Sequence, residues 1–191
     1  LIDIGSHSLD LTLWFMDNYQ PASVTGVTFQ KLGNTLPPHQ QGNGMGPWDP
    51  NSYEVEDAAF AFVTMKDGSL ITIDASWVLN STEERCAAST LCGTIAGAEL
   101  TGVGGKNNEK LYLNKIMGNK QVEIDVNTAA GGVDLFPGKK TSAGDVECQV
   151  WLDAIEGKGQ LVVKPEQAFV VTEILDAVYQ SAKTGQPVVF A

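Results

Sequence analysis

Residues 55–77 read VEDAAFAFVTMKDGSLITIDASW, and this stretch decides the fold class. Two runs suited to strands, 54–65 and 70–77, flank Lys66-Asp67-Gly68-Ser69. An Asp-Gly pair between such runs predicts a β-hairpin. The first run is apolar at every position from Ala58 to Val63, and in the second Ile71, Ile73, Ala75 and Trp77 share one face. A hairpin that is apolar on both faces needs cover on both. Helices of the same chain can cover one face, and a second subunit is the expected cover for the other.

Outward from the hairpin, SVTGVTFQ at 23–30 is rich in β-branched residues and predicts a strand. Further strands are expected at 86–94, 110–114 and 121–126, with Gly-rich turns between them. Residues 31–52 and 127–144 carry Gly and Pro without any period and read as loops. A loop as long as the first is uncommon inside a domain and is functional or disordered. One helix is expected at 145–156, with Val146, Val150, Trp151, Ala154 and Ile155 at helical spacing. A second opens at Lys164-Pro165-Glu166-Gln167 and keeps its period through Ala168, Val171, Leu175, Val178 and Ala182. Pro165 suits a first helical position, while Lys183 and Gly185 supply a basic last turn and a glycine stop. A short strand at 187–190 ends the chain. Strands in the middle with helices at both ends predict one α+β domain over residues 1–191.

Composition removes several functions. The chain has 191 residues and a net charge of −11, from 23 acids against 12 bases. Only Lys139-Lys140 are adjacent basic residues, so no stripe exists to neutralise phosphates, and nucleic acid and anionic membrane are excluded as partners. No apolar run approaches the roughly 20 residues of a membrane helix. Cys86, Cys92 and Cys148 are odd in number and lack CxxC spacing, which argues against a disulfide framework or a zinc site and fits a reducing, cytoplasmic setting. Asn80-Ser81-Thr82 matches a glycosylation sequon but does not outweigh the cysteines. None of the 20 glycines completes G-x-G-x-x-G, and the Gly-Lys pairs fail the P-loop pattern. The Gly-rich 102–105 therefore reads as a turn, and no cofactor-binding residue is expected in this chain. It starts without Met inside a patterned apolar segment, LIDIGSHSLDLTLWFMD at 1–17, and so reads as a piece of a longer protein.

That opening segment carries the chemistry. As a helix it places Asp3, His7 and Asp10 on one face, at i, i+4 and i+7. Leu9, Leu11, Leu13, Phe15 and Met16 cover most of the remaining circumference, and a helix apolar nearly all round is expected to be buried. Two readings of the polar stripe stay open. It is a satisfied core network, or it is a reaction site in which imidazole moves a proton while a carboxylate one turn away orients it. A metal site on Asp3 and His7 lacks a third ligand in register. His39 sits in a polar loop, where a histidine without a role is the simpler reading. Trp48 and Tyr53 either line a sugar pocket or pin the loop to the domain.

The same residues resemble a known family. LIDIGSHSLDLTLWFM is similar to the D-x-G-x-H-x-x-D helix of the Gfo/Idh/MocA oxidoreductases. VEDAAFAFVTMKDGSLITIDASW resembles their "E-D, apolar strand, D/N-G, strand, W" segment, and GTIAGAEL at 93–100 their "G-T-x-G-x-x-L" turn. KPEQAFVVTEILDAVYQSAKTGQPV is similar to their C-terminal signature. Four motifs stand in the family's order, whereas 31–53 and 101–144 match less well. The resemblance implies an open, predominantly antiparallel (mixed) β-sheet with helices on one face and the other face free for a homodimer or homotetramer. It also implies that a Rossmann domain, holding NAD or NADP and an E-K-P lysine, precedes this C-terminal substrate domain. The fragment alone would then hold no cofactor and be inactive. His7 would take a proton from a hydroxyl of a sugar, cyclitol or polyol as hydride leaves, Asp3 would orient His7 or bind that hydroxyl, and Asp10 would be structural. An NAD-dependent glycosidase of the same fold, or a non-catalytic assembly subunit, are the alternatives.

Overall fold

The apolar runs pair into two four-stranded sheets in a computed structural model of the chain, which describes residues 1–35, 48–80, 88–101, 110–126 and 143–191. The elements in order are α1 (Ile2–Met16), β1 (Pro21–Phe29), a 3-10 turn (Pro50–Ser52), β2 (Ala58–Met65), β3 (Leu70–Ser76), β4 (Ser89–Cys92), β5 (Gly97–Thr101), β6 (Lys110–Met117), β7 (Lys120–Val126), α2 (Ala143–Ile155), α3 (Pro165–Thr184) and β8 (Val188–Val189). The chain divides into two compact units, Leu1–Glu84 with Phe169–Ala191, and Arg85–Ala168.

In the first unit the sheet order is β3-β2-β1-β8, and each described pairing is antiparallel. The expected hairpin is present, with Ala61 opposite Ile73 and Val63 opposite Ile71. Gly68 adopts φ 86° at its turn, where Met65 and Ser69 close the loop by a 2.8 Å backbone hydrogen bond. That conformation favours glycine, which explains the Asp-Gly pair. Ala59, Ala61, Val63 and Met65 point inward with Ile71 and Ala75. They pack with Leu9 and Leu13 of α1 and with Val171, Ile174, Leu175 and Val178 of α3 into one core. Alternation sends Phe62 and Leu70 to the other face, where each is 57% exposed, together with Val27 and Phe29 of β1.

α3 comes close to the sheet at a glycine. A Cβ on Gly26 would lie 2.7 Å from Val178 Cγ1, and the Gly26 N–H donates to buried Ser181 Oγ at 3.0 Å. The helix starts and stops as its sequence predicts. Pro165 is its first residue, the Gln167 side chain accepts from the Lys164 N–H at 2.7 Å, and Gly185 follows with φ 67°.

The second unit holds a meander, β4-β5-β6-β7, and α2. The α+β class with open antiparallel sheets holds, but the strands occupy two sheets rather than one, and no described pairing is parallel. β5 was expected as a turn; it is a strand because β4 and β6 both pair with it. The readings at His39, Cys86, Ser81-Thr82, the 102–105 turn and 127–142 lie outside the described residues.

Candidate active site

α1 is helical because a periodic apolar stripe, Gly5, Leu9 and Leu13, finds a sheet to cover. Gly5 permits the approach: a Cβ there would lie 3.3 Å from Ala75 Cβ of β3 and 2.7 Å from Leu1 Cδ1. Asp17 ends the helix in the left-handed region, with its N–H on the Trp14 carbonyl. The expectation of an all-round buried helix is corrected here. Only one side is covered, whereas Ile2 is 64% exposed and Ile4, Trp14 and Phe15 are also exposed. Apolar content measured what the helix could bury, but only the sheet side supplies neighbours.

The polar stripe lies off the buried side. Asp3 and His7, one turn apart, are both exposed, so neither is a satisfied member of the core. Asp10 is half-buried, and its Oδ1 has no hydrogen-bond partner. Tyr19, folded back after the helix, likewise has a buried hydroxyl without a partner. Burial, then the charges of Asp10 and Asp17, push the Tyr19 phenol up.

Beside the first turn of α1 stands Glu56. Its Oε1 faces the Leu1 nitrogen and accepts the Tyr179 hydroxyl at 2.7 Å. Burial, with the hydrogen bond to Glu56 and its charge, pushes the Tyr179 phenol up. The main-chain carbonyl of Glu56 accepts the Trp77 indole N–H at 3.2 Å and the Tyr53 hydroxyl at 3.4 Å.

Asp57, only 3% exposed, has a different task. Its carboxylate accepts the backbone N–H groups of Lys31, of Leu32 at 2.6 Å and of Gly33 at 2.7 Å. A buried carboxylate is tolerated when it gathers several donors in this way. The Gly33 carbonyl in turn accepts the Trp48 indole N–H at 2.6 Å. Trp48 meets Trp77 edge-on, with centroids 4.8 Å apart at 72°, and Tyr53 lies 5.6 Å from Trp77 and 6.2 Å from Trp48. Burial first, and then the nearby carboxylates of Asp57 and Glu56, push the Tyr53 phenol up to about 12 despite the Trp77 hydrogen bond.

The sequence-predicted site residues thus fall into two groups within one unit. Asp3 and His7 stand on α1, and Trp48 and Tyr53 belong to an aromatic trio with Trp77. Glu56 touches the start of α1 with its carboxylate and the trio with its carbonyl. Sequence reasoning passed over Glu56, Asp57, Trp77 and Tyr179 as site-building residues. The available signal was the Glu-Asp pair directly before an apolar strand, where a carboxylate about to be buried must have partners. Among the described residues, no group of three or more His, Cys, Asp or Glu side chains could hold a metal ion, and no helix is long and apolar enough to cross a membrane.

Comparison with known proteins shows the family of the chain. The model of an oxidoreductase family's C-terminal alpha/beta domain matches residues 1–190. D-glucoside 3-dehydrogenase of Escherichia coli (strain K12) is 30% identical over 189 residues, which cover 97% of this chain and 47% of that protein. Among solved structures, aldose-aldose oxidoreductase from Caulobacter crescentus, complexed with glycerol, superposes with a TM-score of 0.68 at 14% identity, over 98% of this chain and 46% of the other. An oxidoreductase from Agrobacterium radiobacter in complex with NAD+, L-tartaric acid and magnesium gives a TM-score of 0.61 at 17% identity, over 98% and 48%. At these identities the structural matches establish the fold alone. The chain spans about half the length of the relatives it matches.

Proposed function

The chain belongs to the Gfo/Idh/MocA oxidoreductase family as its C-terminal α/β domain, and on that premise we propose that it is the catalytic and substrate-binding half of an enzyme that moves hydride between NAD(P) and a hydroxyl of a sugar, cyclitol or related polyol. The observation that carries this reading is the exposed Asp3–His7 pair, one helical turn apart on an otherwise well-anchored α1. An imidazole can accept a hydroxyl proton as the carbon is oxidised and return it in reduction. Asp3 stands where a carboxylate can orient that ring or hold the hydroxyl. The name of the E. coli relative directs the choice of substrate class towards glucosides.

The chain has no glycine-rich phosphate cradle, so the groups that hold the dinucleotide are assigned to the remainder of the full-length enzyme. When bound, nicotinamide supplies the hydride acceptor. What this chain offers towards it is an uncovered helix face bearing a proton carrier. Trp48 and Tyr53 are assigned to the substrate wall, since aromatic faces suit the C–H surfaces of sugars. The exposed sheet face around Phe62 is assigned to a homodimer or homotetramer, and exposed free Cys92 and Cys148 suit the cytoplasm.

The test is His7→Ala in the full-length enzyme, with glucoside oxidation followed through the absorbance of reduced nicotinamide. Turnover should fall about 10²–10⁴-fold. Unchanged turnover would remove His7 from the mechanism.

A further inference from the structure

The aromatic trio does not hold itself in place. The Trp48 indole N–H donates to the Gly33 carbonyl at 2.6 Å. The Gly33 peptide is fixed by its own N–H on Asp57 Oδ1 at 2.7 Å. The two preceding N–H groups, Lys31 and Leu32, converge on Asp57 Oδ2. Three consecutive backbone donors on one carboxylate leave that segment little freedom. Tyr53 is seated against the same point, because a Cβ on Gly33 would lie 2.1 Å from Tyr53 Cε1. Asp57 is itself built into the sheet. Its N–H donates to the Phe29 carbonyl at 2.7 Å, and its carbonyl accepts the Trp77 N–H at 3.1 Å.

We infer that Asp57 is a positioning residue for substrate recognition: it sets Gly33, and through Gly33 the Trp48 and Tyr53 rings, against Trp77 beside the first turn of α1. Holding a loop is an ordinary task for a buried carboxylate. Here the residue being held also supplies the acceptor for one ring and the seat of another, so loop position and binding-wall geometry are one variable. The proton-transferring residues lie on α1, and neither accepts from nor donates to Asp57 in the contacts above. Loss of Asp57 should therefore weaken substrate capture and spare the chemical step. The inference rests on the proposed dehydrogenase reading.

Asp57→Asn is the informative change. An amide has a single acceptor oxygen, so whichever way it turns at least one of the three N–H groups faces an NH2. Gly33→Ala is the second variant; it displaces Tyr53 without touching the carboxylate, and it carries the test if Asp57→Asn folds poorly. Full-length enzyme is assayed with methyl glucoside and NAD+ or NADP+, at a temperature below the unfolding transition of each variant. The expected result is KM raised about tenfold or more with kcat within about threefold of the parent, and a changed near-ultraviolet dichroism from the tryptophans. Unchanged KM in both variants, or a fall in kcat alone that follows the loss of folded protein, overturns the positioning role. A parent enzyme that oxidises no glucoside, free sugar or inositol instead overturns the dehydrogenase reading, and the inference falls with it.

Discussion

At the scale of the residue, buried polar groups are legible only when their partners are known. Tyr53 illustrates what those partners do. Its phenol is pushed up to about 12 from the ordinary 10.0, first by burial and then by Asp57 and Glu56. A raised phenol favours the protonated form in the folded state. Its contribution to stability is therefore fully present below pH 10.0 and is lost as pH rises through about 12. Alkaline titration of phenolate absorbance should show late tyrosines in the folded protein, Tyr53 with Tyr19 and Tyr179, that return to pH 10.0 in denaturant. Replacing Tyr53 with Phe should reduce that late rise by one tyrosine; an unaltered curve would contradict the assignment. The spacing of Asp3 and His7 and the presence of Trp48 and Tyr53 were readable in advance because each is a local fact. Asp57 was not, because its donors lie 24 to 26 residues away. Nothing in a strand's own sequence says which loop will return to it.

At the scale of the element, what is local again proved legible and what is imposed by neighbours did not. The 58–76 hairpin and α3 announce themselves through turn chemistry, period and caps. β5 does not, since Gly-Ala-Glu-Leu-Thr has little strand propensity and is extended by pairing on both sides. The covered side of α1 was equally hidden, because composition cannot say how many faces will find a partner. The close crossing of α3 and β1 gives a measurable consequence. Gly26→Ala would set a methyl group 2.7 Å from Val178 Cγ1 and 3.2 Å from the Val178 carbonyl oxygen. A side chain can turn away, but helix backbone cannot. Overpacking of this kind should cost about 1–3 kcal/mol in urea unfolding. A midpoint equal to that of the parent would mean that the helix slides freely on the sheet.

At the scale of the whole molecule, the outer face of the first sheet carries a set of exposed apolar side chains. Val27, Phe29, Phe62, Leu70 and Val189 are all exposed on that sheet, and it was readable early because β2 alternates between two apolar sets. The allocation of strands to two sheets was not readable, since pairing across a chain is set by tertiary contacts. With the proposed subunit contact on this face, Phe62→Lys should convert an even-numbered assembly into a monomer by light scattering while leaving far-ultraviolet dichroism intact. Retention of the parent's mass would place the contact elsewhere.

The route of the chain through the first unit has a consequence in time. β1 gains its outer neighbour from Val188–Val189, and the inner face of β2 gains cover from α3, both after residues 85–168 have intervened. The meander, by contrast, joins strands that follow one another directly. During synthesis from the N-terminus the hairpin therefore emerges with Ala59, Ala61 and Val63 still lacking their α3 cover, and the second sheet can close while the first still waits for its lid. α1 is made before the hairpin, yet the core it rests on is finished only when α3 arrives.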